Sequence, residues 1–189
     1  MTDNFVYWKW DNYFNNNDIK KFNCLIEKNF DGYQDPKNSA HDLQNKNKKI
    51  ATVKHIYYKK VKHLLYDFEQ NFMYQANTCF GYELFNLKDV EKLNFNIYSS
   101  NDFGSYDWHT DGSRSDLYDV KLTILINLSI KKYEGGQFFI FDTNELEVKE
   151  LNSPGSAIMF RSFYNHKVSP VTKGERRTLA IFLKGPKFK

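Results

Sequence analysis

Lys121-Leu-Thr-Ile-Leu-Ile-Asn-Leu-Ser129 reads as a β-strand with two unlike faces. Successive side chains of a strand point to opposite sides. Leu122, Ile124, Ile126 and Leu128 therefore make one wholly apolar face, suited to lie under helices, while Thr123, Leu125, Asn127 and Ser129 make a mixed one. A face carrying Thr and Asn fits the polar interior of a barrel; on the plainer reading it meets water. Around this strand the chain after residue 78 breaks into similar short runs of β-branched and aromatic residues: Phe80–Phe85, Leu93–Tyr98, Gln137–Phe141, Ala157–Phe160 and Arg177–Leu183. Gly, Pro, Asn, Asp and Ser mark the gaps. Short strands at that spacing predict an antiparallel sandwich or barrel, not a parallel sheet with crossover helices.

The first 78 residues follow another pattern. Residues 5–10, Phe-Val-Tyr-Trp-Lys-Trp, suit a short strand or an aromatic plug. Asn16, Asn17 and Asp18 supply helix-capping side chains, and Ile19, Phe22, Leu25 and Ile26 follow at helical spacing, which predicts a helix over 18–29. Val61, Leu64, Leu65, Phe68, Phe72 and Met73 predict a longer helix over 58–76 that covers one face of a sheet. The polar stretch 31–49 between them reads as a loop, either a surface connection or a lid. His41, His55 and His63 have no carboxylate at ligand spacing and read as ordinary histidines. The fold expected is α+β: a single domain over 1–189, with 1–78 a mainly helical support and 79–189 a jelly-roll core.

A chain of 189 residues suffices for one sizeable core. Apolar residues at 41% and aromatics at 17% exclude a disordered chain. No apolar run approaches the roughly 20 residues of a membrane helix. The first ten residues lack a basic region followed by an apolar one, so a cytoplasmic protein with no membrane partner is expected. Cys24 and Cys79 have no second Cys or His at ligand spacing and read as buried free thiols in a reducing compartment. The 27 Lys+Arg and 23 Asp+Glu leave a charge of +4, spread along the chain, so nucleic acid is not the expected partner. Arginine is scarce, which draws attention to Arg114, Arg161, Arg176 and Arg177.

His109 and Asp111 stand two apart, on one side of an extended segment, where an imidazole and a carboxylate reach a single ion. By itself His-x-Asp is a common coincidence. His166 supplies a third ligand just before the final strand. Two imidazoles and one carboxylate on one face of an octahedral ion leave three positions open, the facial triad of non-haem Fe(II) oxygenases; three ligands plus water also suit catalytic zinc. Arg176, ten residues past His166, argues for the former. A lone guanidinium in a barrel interior needs an anion, and it forks onto a carboxylate through two charge-assisted hydrogen bonds. Glu175 and Arg177 face the opposite way in a strand, whereas Thr178 shares the Arg176 face and adds a hydroxyl.

These residues resemble a known family. His109-x-Asp111 followed by His166-x-Val-x-Pro-Val-x-x-Gly-x-Arg176 is similar to the 2-oxoglutarate- and Fe(II)-dependent dioxygenases of the prolyl 4-hydroxylase-like type. Tyr98 and Tyr106 before the His-x-Asp, Glu134-Gly-Gly136, and Pro154-Gly155 with the strand after it add to the likeness, which covers roughly residues 80–186. The resemblance implies a double-stranded β-helix (jelly-roll) core over 79–189. It implies His109, Asp111 and His166 as the metal ligands and catalytic centre, Arg176 on the distal carboxylate of 2-oxoglutarate, and Tyr98 near that cosubstrate. Many relatives carry Tyr where this chain has Asn127, a shorter donor to the same carboxylate.

The implied cofactor is Fe(II), with 2-oxoglutarate and O2 as cosubstrates and ascorbate an open addition. The implied reaction is hydroxylation of a C–H bond with release of succinate and CO2. Peptidyl proline leads among substrates; other peptides, proteins and small molecules stay open. A nucleic-acid demethylase on the same barrel, a non-catalytic jelly-roll binding protein and a zinc hydrolase are the competing readings. The polar loop 31–49, the segment 99–108 with Phe103, Tyr106 and Trp108, and the segment 112–119 with Arg114 are expected around the entrance, and no oligomeric interface is legible in the sequence.

Overall fold

A computed structural model describes residues 5–34, 49–111 and 117–188. The expectations for His41, Arg114 and most of the 31–49 loop lie outside them. In chain order the elements are β1 (Tyr7–Trp10), α1 (Asn16–Asn29), β2 (Tyr33–Gln34), β3 (Lys49–Ile50), β4 (Thr52–Tyr57), α2 (Tyr58–Gln75), β5 (Lys92–Ser99), β6 (Ser105–His109), β7 (Asp119–Asn127), β8 (Glu134–Gly135), β9 (Phe138–Phe141), β10 (Glu145–Glu147), β11 (Ala157–Arg161), β12 (Asn165–Val168), β13 (Val171–Lys173) and β14 (Glu175–Gly185).

Two antiparallel sheets face each other. The larger runs β1-β11-β7-β14-β5-β4-β2, the smaller β10-β9-β12-β6-β3, and β13 pairs with β8 separately. The alternation of residues 121–129 sorts β7 as expected. Leu122, Ile124, Ile126 and Leu128 join Phe22, Ile26, Val61, Leu65, Phe68 and Phe72 of the two helices in one apolar cluster outside the large sheet. On the other face of β7, Leu125 joins a second cluster between the sheets, with Tyr98, Phe138, Phe160, Val168 and Ala180. The polar interior that β7 predicted is therefore real, and it opens inside this second layer.

The helices form for the reasons their sequences suggest. The apolar residues of α1 and α2 recur at helical spacing on the faces turned to the sheet. The cap of α1 is Asn15, one residue before the predicted set. Its Oδ1 accepts from the backbone of Asn17 and Asp18 at 2.8 and 3.1 Å, and Asp18 returns a bond to the Asn15 amide.

Three expectations change. Phe80–Phe85 is not a strand. Helix α2 runs on through a π-helical turn, Ala76–Phe80, which buries Phe80 with the helices and ends on Gly81 at φ +67°. The chain beyond it is irregular, and Phe85 gives a single backbone bond to Lys184. The first 78 residues are not only a helical support, because β1, β2 and β4 extend the large sheet and β3 the small one. Both cysteines are free, but Cys24 is exposed on α1, not buried.

Candidate metal centre and cosubstrate pocket

Pairing of β6 with β12 places His109 opposite His166 across the small sheet, and the register shifts between His166 and Val168. Asp111 follows β6 and is drawn in toward the large sheet. Its amide donates to the Ser162 carbonyl at 2.9 Å, and its Oδ2 accepts from Thr123 Oγ1 at 2.8 Å. Thr123 in turn lies 2.9 Å from Ser162 Oγ. The result is a tight cluster. His109 Nε2 lies 3.6 Å from Asp111 Oδ1, His166 Nε2 lies 3.3 Å from Asp111 Oδ2, and the three ligand atoms all fall within 4.8 Å of one another.

The other ring nitrogens fix the tautomers. His109 Nδ1 donates to the Asp107 carbonyl at 2.7 Å and His166 Nδ1 to the Tyr164 carbonyl at 2.9 Å, which turns both Nε2 atoms toward the cluster. Burial and the neighbouring His166 hold His109 down to about 3. Burial pushes Asp111 upward, but His166, His109 and the Thr123 hydroxyl overcome it and bring the carboxyl to about 2. Burial pulls His166 down, and the Asp111 carboxylate more than reverses this, leaving it raised. Two imidazoles and a carboxylate converging from one side fit a divalent metal, and the set matches an Fe(II) facial site.

One cavity joins this cluster to Arg176. Arg176, the second residue of β14, stands opposite Tyr98 of β5, and Thr178 stands opposite Asn96. The Arg176 side chain is 1% exposed. Its guanidinium lies 5.5 Å from the Tyr98 ring, and among the described residues its Nε and Nη2 find no partner. Orphaned, buried, charged donors are costly, and a carboxylate satisfies them in the geometry a guanidinium favours. Arg176 therefore fits a carboxylate ligand on this chain's own terms. The Gly135–Gly136 pair makes room for it. A Cβ on Gly136 would meet Arg176 Cδ at 3.0 Å and Val171 Cγ2 at 2.8 Å, at a φ of +65°.

Tyr98 and Thr178 line the cavity, as the sequence suggested. Asn127 stands outside its lining. The Asn127 amide donates to the Leu151 carbonyl at 2.8 Å and lies 3.2 Å from Tyr133 Oη, and its oxygen accepts from the Ser129 amide at 3.0 Å. It ties the end of β7 to neighbouring turns. Arg177 faces outward, as expected, held by Glu175 and by Asn23 of α1. Phe103 is exposed, and Trp108 sits edge-on to Phe141 outside the cavity lining.

Tyr106, which the sequence placed beside the His-x-Asp pair, stacks its ring on His109 at 3.3 Å between centroids. The sequence reading missed other neighbours: Thr123 and Ser162 hold Asp111. Lys49, Asn94 and Asn96 also line the cavity. The alternation Asn94-x-Asn96-x-Tyr98 was a usable signal for a polar inner wall. Lys49, at the end of a run of Lys and Asn, carried none.

A jelly roll with two histidines and an aspartate clustered between its sheets is a double-stranded β-helix with a candidate metal site. Within that class, residues 93–184 match the family model of the 2OG-Fe(II) oxygenase superfamily. A PKHD-type hydroxylase of Pseudomonas aeruginosa is 32% identical over 89 residues, covering 43% of this chain and 38% of that protein. The chain thus spans well under half the length of the curated relatives it matches. Two solved structures share the fold: a prolyl-4-hydroxylase of Pseudomonas putida (TM-score 0.67, 16% identity, 96% of this chain and 94% of that one) and a viral collagen prolyl hydroxylase of Paramecium Bursaria Chlorella virus-1 in a 2OG complex (TM-score 0.67, 15% identity, 98% and 99%). Among the described residues, no helix is long and apolar enough to cross a membrane.

Proposed function

We propose that the protein is an Fe(II)- and 2-oxoglutarate-dependent dioxygenase that hydroxylates a C–H bond of a peptide or protein, with peptidyl proline the leading substrate. The observation that carries this reading is Arg176, a buried guanidinium with orphaned donors in the same cavity as His109, Asp111 and His166. A zinc hydrolase would need the three ligands but not a carboxylate anchor beyond them.

With Fe(II) and 2-oxoglutarate bound, the chemistry supplied is O2-dependent decarboxylation to succinate and CO2, coupled to hydroxylation of the substrate. This chain's residues prepare for it. His109 and His166 offer lone pairs at Nε2 because backbone carbonyls hold their Nδ1 protons. Thr123 and Ser162 hold Asp111 in place as a carboxylate. Arg176 takes the distal carboxylate of the cosubstrate, with Tyr98 and Thr178 beside it, while Phe138, Leu125 and Val168 keep water from the same cavity.

Peptide binding is supported by a groove of about 240 Å³ lined by Phe85, Leu87, Tyr118 and Lys184, which shares the Phe182 wall with the cosubstrate cavity. The structural neighbours named above, a prolyl-4-hydroxylase and a viral collagen prolyl hydroxylase, support the same reading. We include in the proposal a single functional unit over 1–189 and a cytoplasmic location, the latter supported by two free cysteines.

The test is anaerobic absorption spectroscopy with Fe(II) and 2-oxoglutarate, followed by O2 and a succinate assay. A visible charge-transfer band and succinate formation, both lost in Asp111→Ala, are expected. No band, with zinc retained instead, overturns the reading.

A further inference from the structure

Two cationic side chains, not one, line the cosubstrate cavity: among its described lining residues the Lys and Arg are Lys49 and Arg176. They reach it from opposite sheets. Arg176 comes from β14 of the large sheet, and Lys49 comes from β3 at the edge of the small one, where it pairs with Tyr106 of β6. Lys49 Nζ donates to Asn96 Oδ1 at 2.9 Å and lies 4.9 Å from the centroid of the Tyr106 ring. That same ring is stacked on His109. Among the described residues, the Asp111 carboxylate is one whose charge bears on Lys49. The ammonium therefore belongs to the metal end of the cavity.

The register gives the spacing between the strand positions beside the two charges. Asn96, which holds Lys49, stands opposite Thr178, and Tyr98 stands opposite Arg176. Two residues along a strand advance about 7 Å, comparable to the end-to-end length of a five-carbon diacid. A ligand with a carboxylate at each end would meet a fork-shaped donor at one pole and a point charge at the other.

Resting on the functional reading above, we propose that Lys49 is a second carboxylate-binding residue of this pocket, holding the carboxylate of 2-oxoglutarate at the metal end while Arg176 holds the distal one. Asn96 and the Tyr106 face aim the ammonium. Lys49 thus selects for a 2-oxo acid whose first carboxylate is ionised.

The experiment is anaerobic calorimetry on Mn(II)-loaded protein with two ligands. 2-Oxoglutarate has both carboxylates; 2-oxobutyrate keeps the 2-oxo acid end and lacks the distal one. Lys49→Met, which keeps an apolar stem over Tyr106, is expected to weaken both ligands by about tenfold or more, the scale of one lost hydrogen bond between charged groups. Arg176→Met should weaken 2-oxoglutarate alone. Lys49→Arg should restore most of the affinity for both. If Lys49→Met does not fold, as judged by its melting transition and Mn(II) affinity, Lys49→Gln carries the same expectations. Affinities within about twofold of wild type for both ligands overturn the proposal, as does a loss confined to 2-oxoglutarate, which would place Lys49 on the distal carboxylate. A wild-type protein that binds Mn(II) but no 2-oxoglutarate overturns the functional reading along with it.

Discussion

Arg176 brings a charge into the barrel and leaves two donors without partners among the described residues. Replacing a buried, imperfectly paired charge with an apolar side chain of similar length is often neutral or stabilising. Arg176→Met should therefore melt at or above the wild-type temperature in the absence of 2-oxoglutarate. It should also lose the rise in melting temperature that 2-oxoglutarate gives the metal-loaded wild type. A variant that melts several degrees lower would mean that the guanidinium has a structural partner. Thr123 makes a converse case. Its hydroxyl touches Asp111 at 2.8 Å, so Thr123→Val keeps the shape and removes an outer-shell bond. Such losses typically weaken metal binding about 10–100-fold. Titration with Co(II) should show that drop with little change in the melting of the metal-free protein; an unchanged affinity would show that the Ser162 backbone bond alone positions Asp111.

Strands were legible in the sequence where one face was wholly apolar. The alternation at 121–129 announced both the helix-facing layer and the polar interior, and the spacing of His109, Asp111, His166 and Arg176 announced the site. What was not legible depends on long-range pairing. Thr52–Tyr57 carries Lys and His among its β-branched residues and becomes a strand because β5 lies beside it in full register. Phe80–Phe85 has strand-like composition, but Phe80 is claimed by the helix layer. Asn127 lay on the expected face, and only the fold shows that turns around Leu151 and Tyr133 occupy its amide. The Gly-Gly motif at 135–136 is where element and site meet. A Cβ at Gly135 would meet the Pro170 carbonyl oxygen at 2.2 Å, and Gly136 adjoins Arg176. Gly136→Ala adds a methyl at a left-handed φ and presses it on Val171 and the Arg176 stem. A loss of about 1–3 kcal/mol is expected, the range for such strain. The KM for 2-oxoglutarate should rise while metal affinity holds. A stable variant with unchanged KM would detach the motif from the cosubstrate pocket.

At the scale of the molecule, two sheets enclose a polar cavity, and its charges leave a mark on stability. Desolvation lowers Lys49 from 10.5 to about 8, while Asp111 opposes the shift and Tyr106 lies against the ammonium as a neutral ring. A lysine whose folded value is depressed contributes most above its unfolded value, and that contribution is lost as the pH falls through the folded one. Between about pH 8 and 10.5 the unfolded chain therefore binds more protons at this residue than the native protein, so its part of the stability rises with pH across that window. The comparison belongs between proteins that differ at Lys49 alone, which cancels every other titrating group common to both. The melting temperature of metal-free wild type should climb relative to Lys49→Met as the pH is raised from about 8 to 10. The gap should be a few degrees, at about 2–4 °C per kcal/mol for a chain of this size. His109 and Asp111, held to about 3 and about 2, do not titrate in this range. Parallel melting curves across the window would show that the Lys49 ammonium is as well solvated in the folded protein as in the unfolded chain, and would remove it from the cavity wall.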